Sequence, residues 1–179
     1  MNIVDKVIAV VTPLESEAER REARSKARAA TTPGGWLEMV LDHHLQIESA
    51  FAAVRSAETA ATRRSAQKRL ATVLTGHSIA EESVLYPAMA LSGEKGQAEM
   101  AYVEQSETKV QMAALENLDP LSQDYLDKLE HIRGAVAHHV YEEEGRRLLE
   151  LQNKADPATK SKLTQRYREE FERYCAGAT

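Results

Sequence analysis

The sequence has one cysteine, few glycines and prolines, few aromatic residues and no long hydrophobic run. A lone Cys175 cannot form an intramolecular disulfide, which is typical of proteins in a reducing compartment. A membrane-spanning helix needs about 20 apolar residues, and the chain has no such stretch. The apolar patch from Ile8 to Val11 is too short for the hydrophobic region of a signal peptide. We therefore expect a cytoplasmic protein that does not insert into membranes.

Positive charge is also in deficit, since 23 Lys and Arg stand against 28 Asp and Glu, for a formal net charge of −5. General attraction to nucleic acid or to anionic lipid is therefore not expected. The 179 residues include 27 Ala and 22 Glu but only 8 Gly and 5 Pro. This composition favours helices, and the length suits one domain with a buried core.

Apolar residues recur at spacings of three and four along four segments, which predicts four amphipathic helices. The stripes are Trp36, Val40, His44, Ile47, Phe51 and Val54; Leu70, Val73, His77, Glu81, Val84 and Ala88; Ala98, Ala101, Gln105, Met112 and Leu115; and Tyr125, Leu129, Ile132, Val136, His139 and Glu143. Short loops at 91–96 and 118–120 favour antiparallel neighbours. We expect an all-α fold, an up-down-up-down antiparallel four-helix bundle with extra N- and C-terminal helices.

The two ends of the chain predict the additional helices. An apolar start at residues 3–11 is stopped by Pro13, and a charged segment from about residue 14 to residue 30 follows. A turn is indicated at 31–35. Asp156 as N-cap and Pro157 as the first helical residue predict a last helix running to about residue 175. The expected organisation is an N-terminal helical extension (1–35), the bundle (36–155) and a C-terminal helix packed on it (156–179).

Six inward positions on the stripes carry polar side chains where a bundle core would have Leu, Ile or Ala. They are His44, His77, Glu81, Gln105, His139 and Glu143. Burying such groups without partners is costly. Residues four apart lie on one helical face, so His77 with Glu81, and His139 with Glu143, form two pairs that can each grip one centre.

An internal repeat relates the two pairs. His44 precedes His77 by 33 residues and Gln105 precedes His139 by 34, and HSIAEE in one half matches HHVYEE in the other. Two helical hairpins would then place the pairs face to face, with His44 and Gln105 as equivalent residues. Imidazole and carboxylate ligands in a bundle suit iron, manganese or zinc, and two carboxylates can bridge two ions. No acidic residue lies three before any histidine, which disfavours a ferritin-like site.

Residues 36–151 resemble the bacterial hemerythrin-like HHE cation-binding domains, through the segments LDHHLQIESAF, HSIAEESVLYP and AHHVYEEE. The resemblance implies a non-haem di-iron centre in which imidazoles cap the irons and both carboxylates bridge them. It also implies that dioxygen or a related small molecule binds there. The implied ligands are His77, Glu81, His139, Glu143 and, on the first helix, His44. The neighbouring His43 is not an implied ligand.

The third helix departs from the family pattern, because Gln105 stands where the family usually has a histidine. A glutamine oxygen is a weaker ligand than an imidazole. One metal would then be under-coordinated or weakly bound, or would recruit Glu104, Glu107 or Tyr102. Farther out, His43, His131 and His138 are expected at the surface or behind the ligands. Glu142 and Glu144 are expected on a solvated face.

Three functions are compatible with these residues. The first is a protein whose non-haem di-iron centre binds or senses dioxygen, nitric oxide, peroxide or iron behind an apolar wall formed by Ile47, Phe51, Leu74 and Met112. The second is an enzyme that turns over peroxide or nitric oxide, because Gln105 opens a coordination position. The third is a structural zinc site or a helical adaptor that binds a protein partner through its terminal helices. Manganese or zinc in place of iron stays open.

Overall fold

The structure, a computed structural model, describes residues 15–177, and these fold into helices with no strand among them. The all-α prediction is confirmed, whereas the apolar start expected at 3–11 lies outside the described residues. In chain order the elements are α1 (Glu17–Ala29), α2 (Trp36–Ser56), α3 (Ala60–Ala80), π1 (Glu81–Leu85), α4 (Tyr86–Leu91), α5 (Lys95–Glu116), α6 (Gln123–Glu142), π2 (Glu143–Arg147), α7 (Leu148–Lys154) and α8 (Pro157–Gly177). None of these helices is long and apolar enough to cross a membrane.

Several helices begin where the local sequence provides a side-chain cap. At the start of α1, the Ser16 hydroxyl accepts from the Glu19 N–H, and the Glu19 carboxylate accepts from the Ser16 N–H. Thr59 caps α3 through its hydroxyl. At α8, Asp156 Oδ1 accepts from the Thr159 N–H at 2.7 Å, as the sequence predicts. Each cap satisfies a backbone N–H that has no partner within its helix.

Helices α2, α3, α5 and α6 pack in a closed order, α2 against α3, α3 against α5, α5 against α6 and α6 against α2. Their buried side chains form two apolar clusters, one around Trp36 and the other around Phe51. Each helix, or its continuation, passes from one cluster to the other. A polar residue lies at each passage: His44, His77, Gln105 and Glu143. The fold therefore places a polar layer between two apolar ones.

Both predicted His/Glu pairs end at a change of helix type. Glu81 begins π1 and Glu143 begins π2, in which the backbone bonds span five residues; the Tyr86 N–H, for example, donates to the Glu81 carbonyl. The extra residue shifts the buried stripe by one position, so Met89 is fully buried in place of the predicted Ala88. Single π-helical turns are rare and frequently occur at functional sites.

The flanking helices pack on the outside of this ring. Helix α1 contacts α2 and π2, and α8 contacts α2, α3 and π1. The backbone N–H of Trp36, the first residue of α2, donates to Thr164 Oγ1 of α8 at 3.0 Å. Helices α3 and α8 approach so closely that a Cβ at Gly76 would lie 3.0 Å from Cys175 Sγ. Both flanking helices are therefore near enough to contribute side chains to the polar layer.

Candidate metal centre

Two histidines and two glutamates converge in the polar layer, and we name them the four-ligand cluster: His44, His77, Glu81 and Glu143. None is more than 2% exposed, and one ligand atom from each lies within 4.8 Å of the others. His77 Nε2 is 3.1 Å from Glu81 Oε2, and His44 Nε2 is 3.3 Å from Glu143 Oε2. Ligands on opposite sides of one ion, at metal–ligand distances of about 2.1 Å, stand about 4.2 Å apart. A small inward shift would therefore let all four bind a single cation.

Buried atoms without hydrogen-bond partners line the cluster. Within the described residues they are His44 Nε2, Glu81 Oε1 and Glu143 Oε2, with Gln105 Oε1 beside them. Leaving a buried polar atom unpaired costs about 1–3 kcal/mol, so native structures rarely do it. Imidazole nitrogens and carboxylate oxygens are the atoms that bind iron, manganese and zinc in proteins. The donor set therefore fits a metal cation, which would satisfy the three cluster atoms together.

Each histidine at the centre turns Nε2 inward and anchors Nδ1 on a side chain outside the cluster. His44 Nδ1 lies 2.9 Å from Glu144 Oε1, His77 Nδ1 lies 3.0 Å from the Tyr167 hydroxyl, and His139 Nδ1 lies 2.6 Å from Glu104 Oε2. A partner on one ring nitrogen fixes the orientation of the ring and leaves the other nitrogen as a ligand. The three imidazoles are thus arranged as metal ligands usually are.

The two outer glutamates are themselves paired with arginines. Arg24 Nε of α1 donates to both carboxylate oxygens of Glu144 at 3.0 Å, and Arg147 donates to the two oxygens of Glu104 at 2.6 and 3.0 Å. Charge-assisted pairs of this kind hold a carboxylate in a defined orientation. The expectation that Glu144 lies on a solvated face is wrong, because α1 packs over π2 and leaves this side chain 1% exposed.

Tyr86, Gln105 and His139 lie next to the cluster, and we call them the tyrosine side. The Tyr86 hydroxyl oxygen is 2.9 Å from Glu143 Oε1, 3.1 Å from Glu81 Oε2 and 3.3 Å from His139 Nε2. Gln105 Nε2 donates to this hydroxyl at 2.6 Å and to Glu81 Oε2 at 2.7 Å. Hydrogen bonds therefore connect the tyrosine side to Glu81 Oε2 and to Glu143 Oε1.

The carboxylates change the pKa values of the buried imidazoles. Burial acts to lower the pKa of His44, but Glu143 and Glu144 outweigh it and raise that pKa to about 9. Burial acts in the same direction on His139, where Glu143 and Glu104 raise the pKa to about 10. The pKa of Glu143 is held well below its usual range, because the two imidazoles outweigh the effect of its burial. The centre therefore favours positive charge, from protons or from a cation.

The structure divides the six predicted ligands into two groups. Four form the cluster, and the other two, Gln105 and His139, face Tyr86. Gln105 is 4% exposed and lies on the inner line of α5, where the stripe predicts it. His139 Nε2 approaches Glu143 Oε1 at 3.4 Å. The two halves of the repeat thus meet through the glutamates, but they present different groups to them.

None of the three residues considered as substitutes for a third-helix histidine joins the cluster. Glu104 binds His139 from outside, Glu107 is exposed, and the Tyr102 hydroxyl donates to a backbone carbonyl of π1. His138 is partly buried and pairs through Nδ1 with Glu15.

Tyr167 of α8 contacts two histidines at the site, and the sequence does not predict these contacts. Its hydroxyl lies between His77 Nδ1 and His43 Nδ1, at 3.0 and 2.8 Å. The four-residue spacing of Leu163, Tyr167 and Phe171 indicates a buried face of α8. That spacing predicts that Tyr167 is buried, but it does not predict that Tyr167 contacts His77, which lies 90 residues earlier in the chain.

Comparison with known proteins agrees with this geometry. A family model described as the hemerythrin HHE cation binding domain matches residues 37–151. A curated protein of Nostoc sp. strain PCC 7120, named DNA nickase, is 30% identical over 98 residues, which is 55% of this chain and 27% of the relative. The chain thus spans about a quarter of the length of that relative. No solved structure matches the chain.

Proposed function

We propose, because the chain belongs to the family of hemerythrin HHE cation-binding domains, that its four-ligand cluster holds non-haem iron. In this proposal the centre binds or senses dioxygen, nitric oxide or peroxide. Helices α2, α3, α5 and α6 would form the up-down-up-down bundle of residues 36–155, with α1 and α8 as helical additions. The ligand types alone also accept manganese or zinc.

The observation that carries the proposal is the inward convergence of unpaired donor atoms on anchored side chains. His44 Nε2 and Glu143 Oε2 are fully buried and 3.3 Å apart but make no hydrogen bond, while the outer nitrogen of the same imidazole is held by Glu144. An apoprotein core without a ligand would leave these atoms at a free-energy cost. A cation removes that cost, and the two carboxylates of the cluster balance the charge of a divalent ion.

The surrounding residues would control access to the ion. When bound, iron supplies redox chemistry and open coordination positions for a small ligand. Ile47, Phe51, Leu74 and Met112 are all buried in the apolar cluster next to His44 and would exclude bulk water. They would form the apolar wall of the centre, and a dry wall favours small uncharged ligands.

The proposal is tested by loading the protein with ferrous iron without oxygen, desalting it and adding nitric oxide, dioxygen or peroxide in turn. We expect iron to be retained and the visible absorption to change with at least one of the three. Zinc-loaded protein is the control and should show no visible band, because zinc has a filled d shell. A chain that retains no iron, or an iron-loaded chain that responds to none of the three ligands, would contradict the proposal.

A second candidate function is turnover of peroxide or nitric oxide. It is favoured by the number of ligands, since four side chains leave open positions on an ion that commonly takes six. Peroxide in large excess separates the two candidates. An enzyme would consume many equivalents at a steady rate, whereas a binding or sensing centre would react once and stop.

A further inference from the structure

We infer that this chain holds one metal ion, in the four-ligand cluster, and that the Tyr86 hydroxyl and the Gln105 amide occupy the position of a second ion. The inference rests on the proposed function, because it assumes that the cluster binds a metal. It assigns a role to two polar side chains that an ordinary metal cage would not need. It also predicts that the two halves of the repeat bind metal unequally.

The internal repeat shows where the second position would be. Gln105 corresponds to His44 and His139 corresponds to His77 by their spacing. The hydroxyl of Tyr86 lies among Gln105, His139, Glu81 Oε2 and Glu143 Oε1. On the other side, where His44 and His77 approach the same two glutamates, no hydroxyl of the described residues bonds to the carboxylates, and His44 Nε2 and Glu143 Oε2 make no hydrogen bond.

The Tyr86 hydroxyl contacts the groups that a second cation would need as ligands. The oxygen is 2.6 to 3.3 Å from polar atoms of four side chains, Gln105, Glu143, Glu81 and His139. These are hydrogen-bond lengths. The hydroxyl oxygen therefore stands where an ion shared by those four side chains would stand. Tyr86 is fully buried in the apolar cluster around Trp36, so its ring is held by packing.

The repeat also shows that Tyr86 is specific to one half. Tyr86 follows His77 by nine residues, and the residue nine after His139 is Leu148. Both side chains are fully buried after a π-helical turn. Leucine cannot hydrogen-bond to the glutamates, so the hydroxyl is present on one side of the carboxylates only.

Charge balance leads to the same number of ions. Glu81 and Glu143 supply two negative charges, which match one divalent cation. The tyrosine side offers a phenol, an amide and an imidazole, none of which is an anion in its ordinary state. The nearby carboxylates of Glu104 and Glu144 are already paired with Arg147 and Arg24. A second divalent ion would therefore add two positive charges to a buried region without a further anion to balance them, which is costly.

The experiment measures metal per chain in four proteins: the wild type, Tyr86→Leu with Gln105→His, Tyr86→Phe, and Tyr125→Phe. The double variant places at each of the two positions the residue found at its equivalent in the repeat, the histidine of His44 at 105 and the leucine of Leu148 at 86. Tyr125 is the control, because it is equally buried but its hydroxyl bonds to Gln67, outside the polar layer. Each protein is loaded with excess ferrous iron without oxygen, desalted and analysed for iron.

We expect one iron per chain in the wild type and in Tyr125→Phe, and two in the double variant. Two irons in the wild type would overturn the inference while leaving the proposed function intact. One iron in a folded double variant would show that Tyr86 and Gln105 are not what occupies the second position. No iron in the wild type would overturn the proposed function itself.

The wild-type ratio decides the matter even if the double variant does not fold. The oxidised wild type gives a second readout. A phenolate-to-iron absorption band that is lost in Tyr86→Phe would show that Tyr86 is a metal ligand, and this would also overturn the inference. The absence of that band from both proteins, with one iron in each, is the expected result.

Discussion

The two halves of the internal repeat differ in how their buried polar groups are satisfied. In the first half, His44 and His77 turn Nε2 toward the glutamates, and unpartnered donor atoms remain. On the other side of the glutamates, Tyr86 and Gln105 hydrogen-bond to them and to each other, and both lie within hydrogen-bond distance of His139 Nε2. One side thus leaves His44 Nε2 and Glu143 Oε2 for a cation, whereas the other is filled by hydrogen bonds of Tyr86 and the Gln105 amide nitrogen and leaves only Gln105 Oε1 unpartnered among its described residues.

This difference teaches that equivalent positions in a repeat need not have equivalent roles. Replacing an imidazole by a glutamine removes a strong ligand, but it also adds an amide that can donate hydrogen bonds. Gln105 uses that amide to bind Glu81 and Tyr86. A buried polar group is acceptable when its partners are present, and those partners can come from the chain or from an ion.

The largest expected difference is between the two histidines of the pairs. His77→Ala should lower the affinity for iron by more than about 100-fold, because it removes a direct ligand. His139→Ala should lower it by about 10-fold or less, because that residue touches the cluster only through Glu143. Equilibrium competition with a chelator of known affinity measures both.

His138→Ala is the matched control for this pair of variants. His138 is adjacent to His139 but points about 100° away around the helix, and it contacts Glu15. Its loss should leave iron affinity unchanged. Equal losses from His77→Ala and His139→Ala would show that both halves bind metal.

A smaller effect is expected from the outer contact on the first half. Tyr167→Phe removes the hydroxyl that anchors His77 Nδ1, and loss of such a partner typically lowers metal affinity about 10- to 100-fold. Tyr125→Phe removes an equally buried hydroxyl and should lower the thermal stability without changing metal affinity. Chelator competition together with thermal unfolding separates the two cases. Unchanged affinity in Tyr167→Phe would show that α8 does not position the ligand.

The smallest expected effect is a pH dependence of the metal-free chain. The pKa values of His44 and His139, about 9 and about 10, lie above the ordinary value of 6.5. Their protonation therefore stabilises the fold fully below pH 6.5, and this contribution is lost as the pH rises through about 9 to 10. Chemical unfolding of metal-free protein between pH 6 and pH 10.5, at intervals of about half a pH unit, should show the decline. A free energy of unfolding that rises over this range would contradict these charge states.

Much of the fold follows from local pattern. The three- and four-residue spacing predicts the helices because one face of each must be buried, and on α2, α5 and α6 the predicted stripes are buried throughout. On the helix that carries His77, the predicted residues Leu70, His77 and Glu81 are buried and Val73 is partly buried, and the stripe then shifts by one residue in π1. No residue in EESVL predicts a π-helical turn. A period of 3.6 residues therefore predicts a buried Ala88, where the structure buries Met89 instead.

The six predicted ligand positions of the candidate site are also predictable, because polar residues on an apolar stripe are visible in the sequence. The outer contacts are not. Arg24 reaches Glu144 across 120 residues, and Tyr167 reaches His77 across 90. Their partners depend on how α1 and α8 dock, which no local pattern specifies. For the same reason the sequence predicts a solvated Glu144, although α1 covers this side chain.

The most direct test of the account is a crystal structure of the iron-loaded protein with an anomalous difference map recorded at the iron edge. We expect one peak per chain, bounded by His44, His77, Glu81 and Glu143, with the Tyr86 hydroxyl still bonded to Gln105. Two peaks, or a single peak bounded by Gln105 and His139, would contradict it.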